Sequence, residues 1–181
     1  MLGQRGCPSI GISQLSLLWN EHQEGKTTTI QERLGWKSTP ELHEKIRRLW
    51  IKHSIAEDRR DLDGLIATLA EGCVYELMKT GERWEGHAGA RSFYTGFLGV
   101  FPDAHFDLTD IVIGPQGVFE VATLTGHHQS RWAGSRWADV SPTGRAITMQ
   151  VLIFFPWNPA AELFDGEKIW TDLPDLASSA V

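Results

Sequence analysis

A histidine and an arginine lie at the ends of two successive strand-like runs, and both residue types can act on a small molecule. Thr125-Gly126-His127-His128 ends the first run, and Pro142-Thr143-Gly144-Arg145 begins the second. A histidine titrates near neutral pH and can serve as a general base, whereas an arginine binds carbonyl or anionic groups. Because the ends of neighbouring strands often border a cavity, the pattern predicts a ligand pocket near His128 and Arg145.

Strand alternation separates the two adjacent histidines. Leu124, Gly126 and His128 share one face, and His127 lies on the other. We therefore expect His128 to face the pocket as a general base or hydrogen-bond donor, and His127 to be structural or exposed. The alternative for His128 is a strand-end histidine bonded to a carbonyl. Because neighbouring strand residues diverge and no third ligand is evident, no metal site is predicted.

Length and composition fit one globular domain and argue against several kinds of partner. The chain has 181 residues, 41% of them hydrophobic, and a net charge of −6, which gives no basic surface for nucleic acid or acidic membranes. The apolar run at 151–155 is far shorter than the roughly 20 residues that cross a bilayer. Two cysteines, Cys7 and Cys73, cannot form a disulfide framework, so we expect a soluble protein in the reducing cytoplasm.

Hydrophobic periodicity divides the chain into an extension, a set of helices and a set of strands. Residues 1–37 are predicted to be an N-terminal extension with a short helix at 12–19, and residues 38–181 to be the folded domain. Helices are predicted from the capping segment Thr39-Pro40-Glu41 to about 53, at 61–69 and at 87–101. Strands are predicted at 73–79, 104–113, 118–128, 145–155 and 162–172, with a hairpin turn at 114–117. Helices followed by an antiparallel meander indicate an α+β fold.

Five short segments also occur in a characteristic order. They are Trp84-Glu85-Gly86-His87, Phe101-Pro102-Asp103, Thr125-Gly126-His127-His128, Pro142-Thr143-Gly144-Arg145 and Gly166-Glu167-Lys168-Ile169-Trp170-Thr171-Asp172. Together they resemble the SnoaL-like branch of the nuclear-transport-factor-2-like superfamily over about residues 40–176. The resemblance implies a cone-shaped barrel made of a strongly curved antiparallel sheet, with N-terminal helices closing a hydrophobic cavity. It also implies a homodimer that pairs through the sheet.

Members of this family include polyketide cyclases, dehydratases, ketosteroid isomerases and epoxide hydrolases, as well as proteins with no known catalysis. The resemblance therefore implies a small hydrophobic molecule as partner, but fold membership does not settle the reaction. Two departures narrow the chemistry. Ile147 stands where the aldol-type cyclases carry their acid–base aspartate, and no strand carries the Arg-x-Asp element of the epoxide hydrolases.

The resemblance also implies a catalytic set of His128, Asp58 and Tyr75. His128 matches the histidine of the family's Thr-Gly-Thr-His segment, and Tyr75 matches a phenol that orients substrate or water in dehydratases. Asp58 lies in a segment that resembles the dehydratase Tyr-Asp-x-x-Asp, with Glu57 in place of the tyrosine. Desolvation near an apolar cavity raises the pKa of a carboxylate and suits it to carry protons. The alternatives are a solvated turn for Asp58, in which Asp61 caps the next helix, and core packing for Tyr75.

The same resemblance suggests a set of ligand-binding residues around the cavity. For the aromatic members the alternative is core packing, and for the arginine it is a brace for the loop at 129–144. That loop is rich in tryptophan and arginine, which indicates either a lid or a contact with a partner subunit. The suggested residues are Trp84, Tyr94, Phe106, Arg145, Trp170 and Asp172.

These observations predict a cofactor-independent enzyme of the lyase, isomerase or cyclase type that acts on a hydrophobic, oxygenated substrate. The competing hypothesis is a non-catalytic module of the same fold that binds an apolar ligand or serves as a dimerisation unit. The enzyme requires His128 and Asp58 to reach one shared point in a cavity. Exposure of Asp58 to solvent would favour the binding module.

Overall fold

The computed structural model describes residues 28–171. The chain divides into two units, residues 1–36 and residues 37–181. In the first unit, residues 28–36 contain a short helix, α1 (Ile30–Leu34), whose capping box joins Thr29 and Glu32 through reciprocal hydrogen bonds. The helix predicted at 12–19 and the predicted site residue Asp172 lie outside the described residues.

Three helices belong to the second unit: α2 (Pro40–Asp58), α3 (Leu62–Ile66) and α4 (Gly86–Val100). They confirm the three helices predicted for this part of the chain. The Thr39 hydroxyl accepts a hydrogen bond of 3.2 Å from the Leu42 N–H, and Pro40 begins the first turn. The Asp61 carboxylate accepts a hydrogen bond of 2.9 Å from the Gly64 N–H. Asp61 therefore caps α3, as the sequence alternative proposed.

Six strands form one sheet, in the spatial order β2-β1-β6-β5-β4-β3. Strands β3 to β6 pair antiparallel in succession, which confirms that part of the predicted meander. The predicted antiparallel sheet is wrong for β1, which pairs parallel with β6. Helix α4 and four strands lie between them in the chain, and a parallel pair needs such a long crossover. The strands are β1 (Leu69–Leu77), β2 (Glu82–Glu85), β3 (His105–Gly114), β4 (Gly117–His127), β5 (Ala146–Asn158) and β6 (Leu163–Thr171).

The sheet is curved and its order is linear, so it remains open and does not close into a barrel. Register shifts occur in β3 between Leu108 and Asp110 and in β5 between Phe154 and Trp157. Such bulges bend a strand and increase its twist. The inward-facing residues of β4, such as Ala122 and Leu124, are almost fully buried. The core therefore lies between the concave face of the sheet and helices α2 and α4.

Within residues 28–171, no helix has the length and the apolar composition that a membrane crossing requires.

Candidate functional site

A cavity opens on the concave side of the sheet and contains about 430 Å³ of space, part of which is open to solvent. Apart from Glu57, Glu167 and Thr171, its wall is apolar. A mostly apolar wall with a few polar groups is typical of small-molecule sites. The apolar wall consists of Leu77, Phe93, Phe97, Phe106, Leu124, Trp132, Met149, Val151, Ile153 and Ile169.

Glu57 contributes the first carboxyl group to this cavity, from the last turn of α2. Loss of water contact is the main cause that raises the pKa of Glu57 well above its usual range. The negative charges of Glu167 and Glu120 raise that pKa further, whereas the nearby Arg60 opposes the shift. Glu57 therefore keeps its proton to a higher pH than an ordinary carboxylic acid does.

Glu167 contributes the second carboxyl group, from β6, and is almost fully buried. Its Oε1 accepts a hydrogen bond of 2.7 Å from the Tyr94 hydroxyl and lies 3.1 Å from Nε2 of His53. Both of these contacts are made by Oε1, and Tyr75 also interacts with the carboxylate. Glu167 is thus held firmly at the cavity wall.

His53 lies behind Glu167 and is fully buried. The Thr68 hydroxyl donates to the Leu65 carbonyl at 2.6 Å, so its oxygen accepts from Nδ1–H of His53 at 2.6 Å. Nε2 of His53 then faces both the Tyr94 hydroxyl, at 3.0 Å, and Oε1 of Glu167. A hydrogen bond between Nε2 and Oε1 joins the two side chains. His53 and Tyr94 therefore hold Oε1 of Glu167 in place together.

Two buried phenols complete the network. The Tyr75 hydroxyl donates to the Tyr94 oxygen at 3.2 Å. Burial, followed by the charge of Glu167, raises the pKa of both Tyr75 and Tyr94 well above the ordinary phenol value, so both remain hydrogen-bond donors. Tyr75 is not part of the cavity wall. Its position agrees with the sequence alternative of a core tyrosine with a satisfied hydroxyl.

Glu120, on β4, is a third interior carboxyl group but lies outside the cavity wall. Its Oε2 accepts a hydrogen bond of 2.8 Å from the Trp50 indole N–H. Burial raises the pKa of Glu120 from 4.5 to about 7, although the Trp50 hydrogen bond opposes the shift. The folded protein therefore keeps a proton on Glu120 that the unfolded chain has already released.

We expect the contribution of Glu120 to stability to be fully present below pH 4.5 and to be lost as the pH rises to about 7. Glu120→Gln should abolish this part of the pH dependence, which amounts to about 2–3 kcal/mol in the free energy of unfolding. The measurement is urea unfolding at about pH 4 and about pH 8. Glu162→Gln, at an exposed carboxylate paired with Lys45, is the control and should behave as the wild type. An unchanged pH dependence in Glu120→Gln would contradict the assignment.

His128 faces inward together with Leu124 and Gly126, as the alternation predicted. It is not part of the cavity wall, however. Its Nδ1 accepts a hydrogen bond of 3.3 Å from the Thr143 N–H, and its ring packs against Phe101. These contacts join the two ends of the loop at 129–145. The structure therefore places His128 as a loop brace and does not bring it to the two glutamates. Its imidazole is bonded to a backbone N–H and not to the carbonyl of the sequence alternative.

Asp58 is exposed at the end of α2 and is also absent from the cavity wall. Successive residues of a helix point in directions about 100° apart, so the cavity receives Glu57 and the solvent receives Asp58. His127 is exposed as predicted, and it pairs with Asp103 at 2.6 Å. Neither Asp58 nor His127 meets the two cavity glutamates.

The suggested ligand-binding residues fall into separate places. Phe106 lies in the cavity wall. Tyr94 lies outside the wall and donates a hydrogen bond to Glu167. Trp84 is buried against Phe93, with ring centroids 5.2 Å apart. Trp170 is 39% exposed and, because Ile169 faces the cavity, lies on the outer face of the sheet.

Arg145 is exposed at the end of the loop at 129–145. Its backbone carbonyl accepts a hydrogen bond of 3.0 Å from the His128 N–H. Its own N–H donates to the Thr143 hydroxyl at 3.3 Å. These bonds fix the end of the loop through the backbone of Arg145 and do not involve its side chain.

The sequence analysis did not predict that Glu57, Glu167 and His53 belong to one site. A signal was present, because His53 falls on the apolar stripe of α2 and Glu57 follows it by four residues on the same face. A polar or charged residue on a buried helix face requires a partner. For His53 that partner is Glu167, which lies 114 positions further along the chain. Among residues 28–171, no group of three or more potential ligands could hold a metal ion.

A family model described as a SnoaL-like domain matches residues 50–158. A SnoaL-like protein from Jannaschia sp. CCS1 shares 16% identity over 81% of this chain and 100% of that chain, with a TM-score of 0.67. AclR from Streptomyces galilaeus shares 20% identity over 74% and 93%, with a TM-score of 0.58. TerC, co-crystallised with polyporic acid, shares 12% identity over 69% and 89%, with a TM-score of 0.54. No curated protein matches the sequence. At these identities, the solved structures establish the fold alone.

Proposed function

Because the chain belongs to the family of SnoaL-like domains, we propose that it is an acid–base enzyme that acts on a hydrophobic, oxygenated small molecule inside the cavity. The observation that carries the proposal is the pair Glu57 and Glu167, which supply carboxyl groups to an otherwise apolar wall. Two carboxyl groups in different environments can divide the roles of acid and base. Burial and the charge of Glu167 raise the pKa of Glu57, which makes Glu57 the acid and Glu167 the base.

The reaction begins when Oε2 of Glu167 removes a proton from carbon next to a substrate carbonyl. The electron pair of that C–H bond moves toward the carbonyl, and Glu57 donates its proton to the carbonyl oxygen. In an isomerisation, Glu167 returns its proton to a different carbon and the enol O–H returns its proton to Glu57. In a dehydration, the proton on Glu167 leaves with the neighbouring hydroxyl as water, and the enol O–H again returns its proton to Glu57. Both routes use only proton transfer, so these side chains suffice without a cofactor.

His53 and Tyr94 support the base in this scheme. Tyr94 donates to Oε1 of Glu167 and fixes the carboxylate plane. His53 holds the same oxygen through Nε2 and so helps to orient the carboxylate. Neither residue belongs to the cavity wall, so both act through Glu167.

The proposal can be tested with 5-nitrobenzisoxazole, a neutral aromatic carbon acid. A base removes its ring C–H proton, the N–O bond breaks, and a coloured cyanonitrophenolate is released. We expect the wild-type protein to accelerate this reaction by at least about a hundredfold over an equal concentration of acetate. A wild-type rate no greater than that of the acetate solution would overturn the proposal.

A non-catalytic ligand-binding protein is the second candidate, and the exposure of Asp58 favours it by the criterion stated for the sequence. The apolar wall would serve such a protein equally well. In that case the benzisoxazole would bind without turnover. Because only Cys7 and Cys73 are present, we propose a cytoplasmic location for either function.

We also propose that two copies pair through the outer face of the sheet. Trp170 is exposed on this face, and it pairs in register with Leu152. Val112, 65% exposed, pairs with Phe119 on the same sheet. Contiguous apolar surface of this kind is typical of protein–protein interfaces.

Light scattering on the wild-type protein, as it elutes from a size-exclusion column, should give twice the mass of one chain. Trp170→Glu should shift the protein to the mass of one chain, because a buried unpaired carboxylate destabilises the interface. Ile55→Glu is the matched control, since Ile55 is 44% exposed but lies on α2. A wild-type monomer, or a dimer that Trp170→Glu leaves intact, would refute this mode of pairing.

A further inference from the structure

The loop at 129–145, between β4 and β5, sends a single side chain into the interior. Trp132 is only 2% exposed, and every other residue of the loop is exposed or half-buried. Trp132 forms part of the cavity wall next to Phe93 and Phe97, with ring centroids 5.6 and 5.9 Å away. The indole ring of Trp132 therefore fills space on the side of the cavity that α4 forms.

Trp132 is the middle ring of a stack. Trp84 lies on one side, with centroids 6.0 Å apart, and Trp137 of the same loop lies 5.7 Å away; both rings are nearly parallel to Trp132. Arg136 covers Trp137 at 5.3 Å. This stack contains both tryptophans of the loop together with Arg136 and shows that Trp132 packs within its own chain. A contact with a partner subunit is not needed to explain it.

Gly96 on α4 makes the position of Trp132 possible. A Cβ atom added at Gly96 would lie 2.4 Å from Nε1 and 2.5 Å from Cδ1 of the indole, which is closer than atoms can approach. The indole edge thus fits directly against the glycine. At Gly99, one turn further along, an added Cβ would meet only the Ser130 hydroxyl oxygen at 3.7 Å.

The Trp132 indole N–H is buried and has no hydrogen-bond partner among residues 28–171. A buried donor without a partner destabilises the state that contains it, because the same group is hydrated when it is exposed. The position of Trp132 in the wall is therefore opposed by its own N–H. Movement of the ring outward would restore that hydrogen bond.

The loop is attached at its two ends and at one point between them. Near the start, the Gln129 N–H donates to the Val100 carbonyl at 2.8 Å, and at the other end Thr143 holds His128. Between them, the Arg136 N–H donates to an exposed carboxylate oxygen of Glu82 at 2.7 Å. Breaking this one exposed bond and the ring stack would free the middle of the loop while both ends remain fixed.

We propose that Trp132 is a displaceable plug that determines which ligands the cavity accepts. With Trp132 in the wall, the cavity admits small, narrow molecules, and movement of the loop opens it to larger, flat aromatic molecules that replace the indole ring. This inference takes the cavity to be a ligand site, as the proposed function does, but it does not depend on proton transfer. Side chains that line a pocket commonly set the size limit of its ligands in this way.

Nile red tests the plug, because it is a large, flat and uncharged dye whose fluorescence increases in an apolar site. Trp132→Ala removes the ring, and Gly96→Ala displaces it while keeping the tryptophan. We expect both variants to bind Nile red at least about tenfold more tightly than the wild type. Gly99→Ala makes the same change on the same helix without the clash and should bind as the wild type does.

Wild-type affinity in both Trp132→Ala and Gly96→Ala would overturn the plug, and so would the absence of Nile red binding in all four proteins. An equal gain in Gly99→Ala would also overturn it, because the effect would then come from α4 itself. Failure of the proposed function gives a different result: the two variants gain dye binding, but the wild type does not open the benzisoxazole ring. The two inferences therefore fail independently.

Discussion

Glu167→Gln is expected to lower the rate of 5-nitrobenzisoxazole ring opening by about 10²–10⁴-fold, the usual contribution of a positioned general base. The amide keeps the size of the carboxylate and can still accept the hydrogen bond from Tyr94. It cannot take a proton from carbon. The loss should therefore appear in the rate constant for turnover, while far-ultraviolet circular dichroism and the unfolding transition show a folded protein.

Two further variants make this result specific. Glu57→Gln should also lower the rate, because an amide does not donate a proton to the developing oxyanion with the strength of a carboxylic acid. Glu120→Gln is the matched control: it removes another buried carboxyl group that lies outside the cavity wall, and we expect it to retain activity within about threefold. Equal losses in Glu120→Gln and Glu167→Gln would show that interior charge matters in general and would contradict the assignment of Glu167 as the base.

Gly166→Ala is expected to destabilise the protein by about 3 kcal/mol or more, the range of severe backbone and packing defects. Gly166 has a φ of +103°, which L side chains rarely adopt. A Cβ atom there would lie 2.1 Å from the Val74 carbonyl oxygen in the neighbouring strand. Because both atoms belong to paired backbones, neither can move without breaking the β1–β6 ladder.

The measurement is the free energy of unfolding in urea for Gly166→Ala and for Gly72→Ala. Gly72 lies in β1, and an added Cβ would meet nothing within 4 Å, so its substitution should change stability by less than about 1 kcal/mol. Similar effects at the two glycines would contradict the steric explanation. Because Gly166 directly precedes Glu167, any folded Gly166→Ala protein should also lose ring-opening activity.

Most helices and strands of the fold can be predicted from local patterns in the sequence. The Thr39-Pro40 cap and the apolar stripe after it predict α2, and strict alternation predicts β3 to β6. The partner of β1 is not a local property. Its pairing with β6 places Tyr75 beside Glu167, which is far away in the sequence. The residue pattern within each strand does not indicate that the two strands are parallel.

The candidate site is harder to predict because its chemistry depends on burial. Glu57 and Asp58 are adjacent carboxylates at the end of α2. Only the folded structure shows that Glu57 lines the cavity, whereas Asp58 is exposed to solvent. The segment that contains His128 predicts that its imidazole faces the pocket. Its imidazole is instead engaged by Thr143, from the far end of the loop at 129–145.

The bulge in β3 has a consequence for how this protein behaves at high concentration. β3 is the last strand of the sheet, so one side of its backbone has no strand beside it within residues 28–171. Asp107 and Asp110 are exposed on it, and the register shift lies between them. Charges and irregular backbone discourage a free edge from recruiting further strands. Crowded solutions should therefore resist fibril growth from this edge.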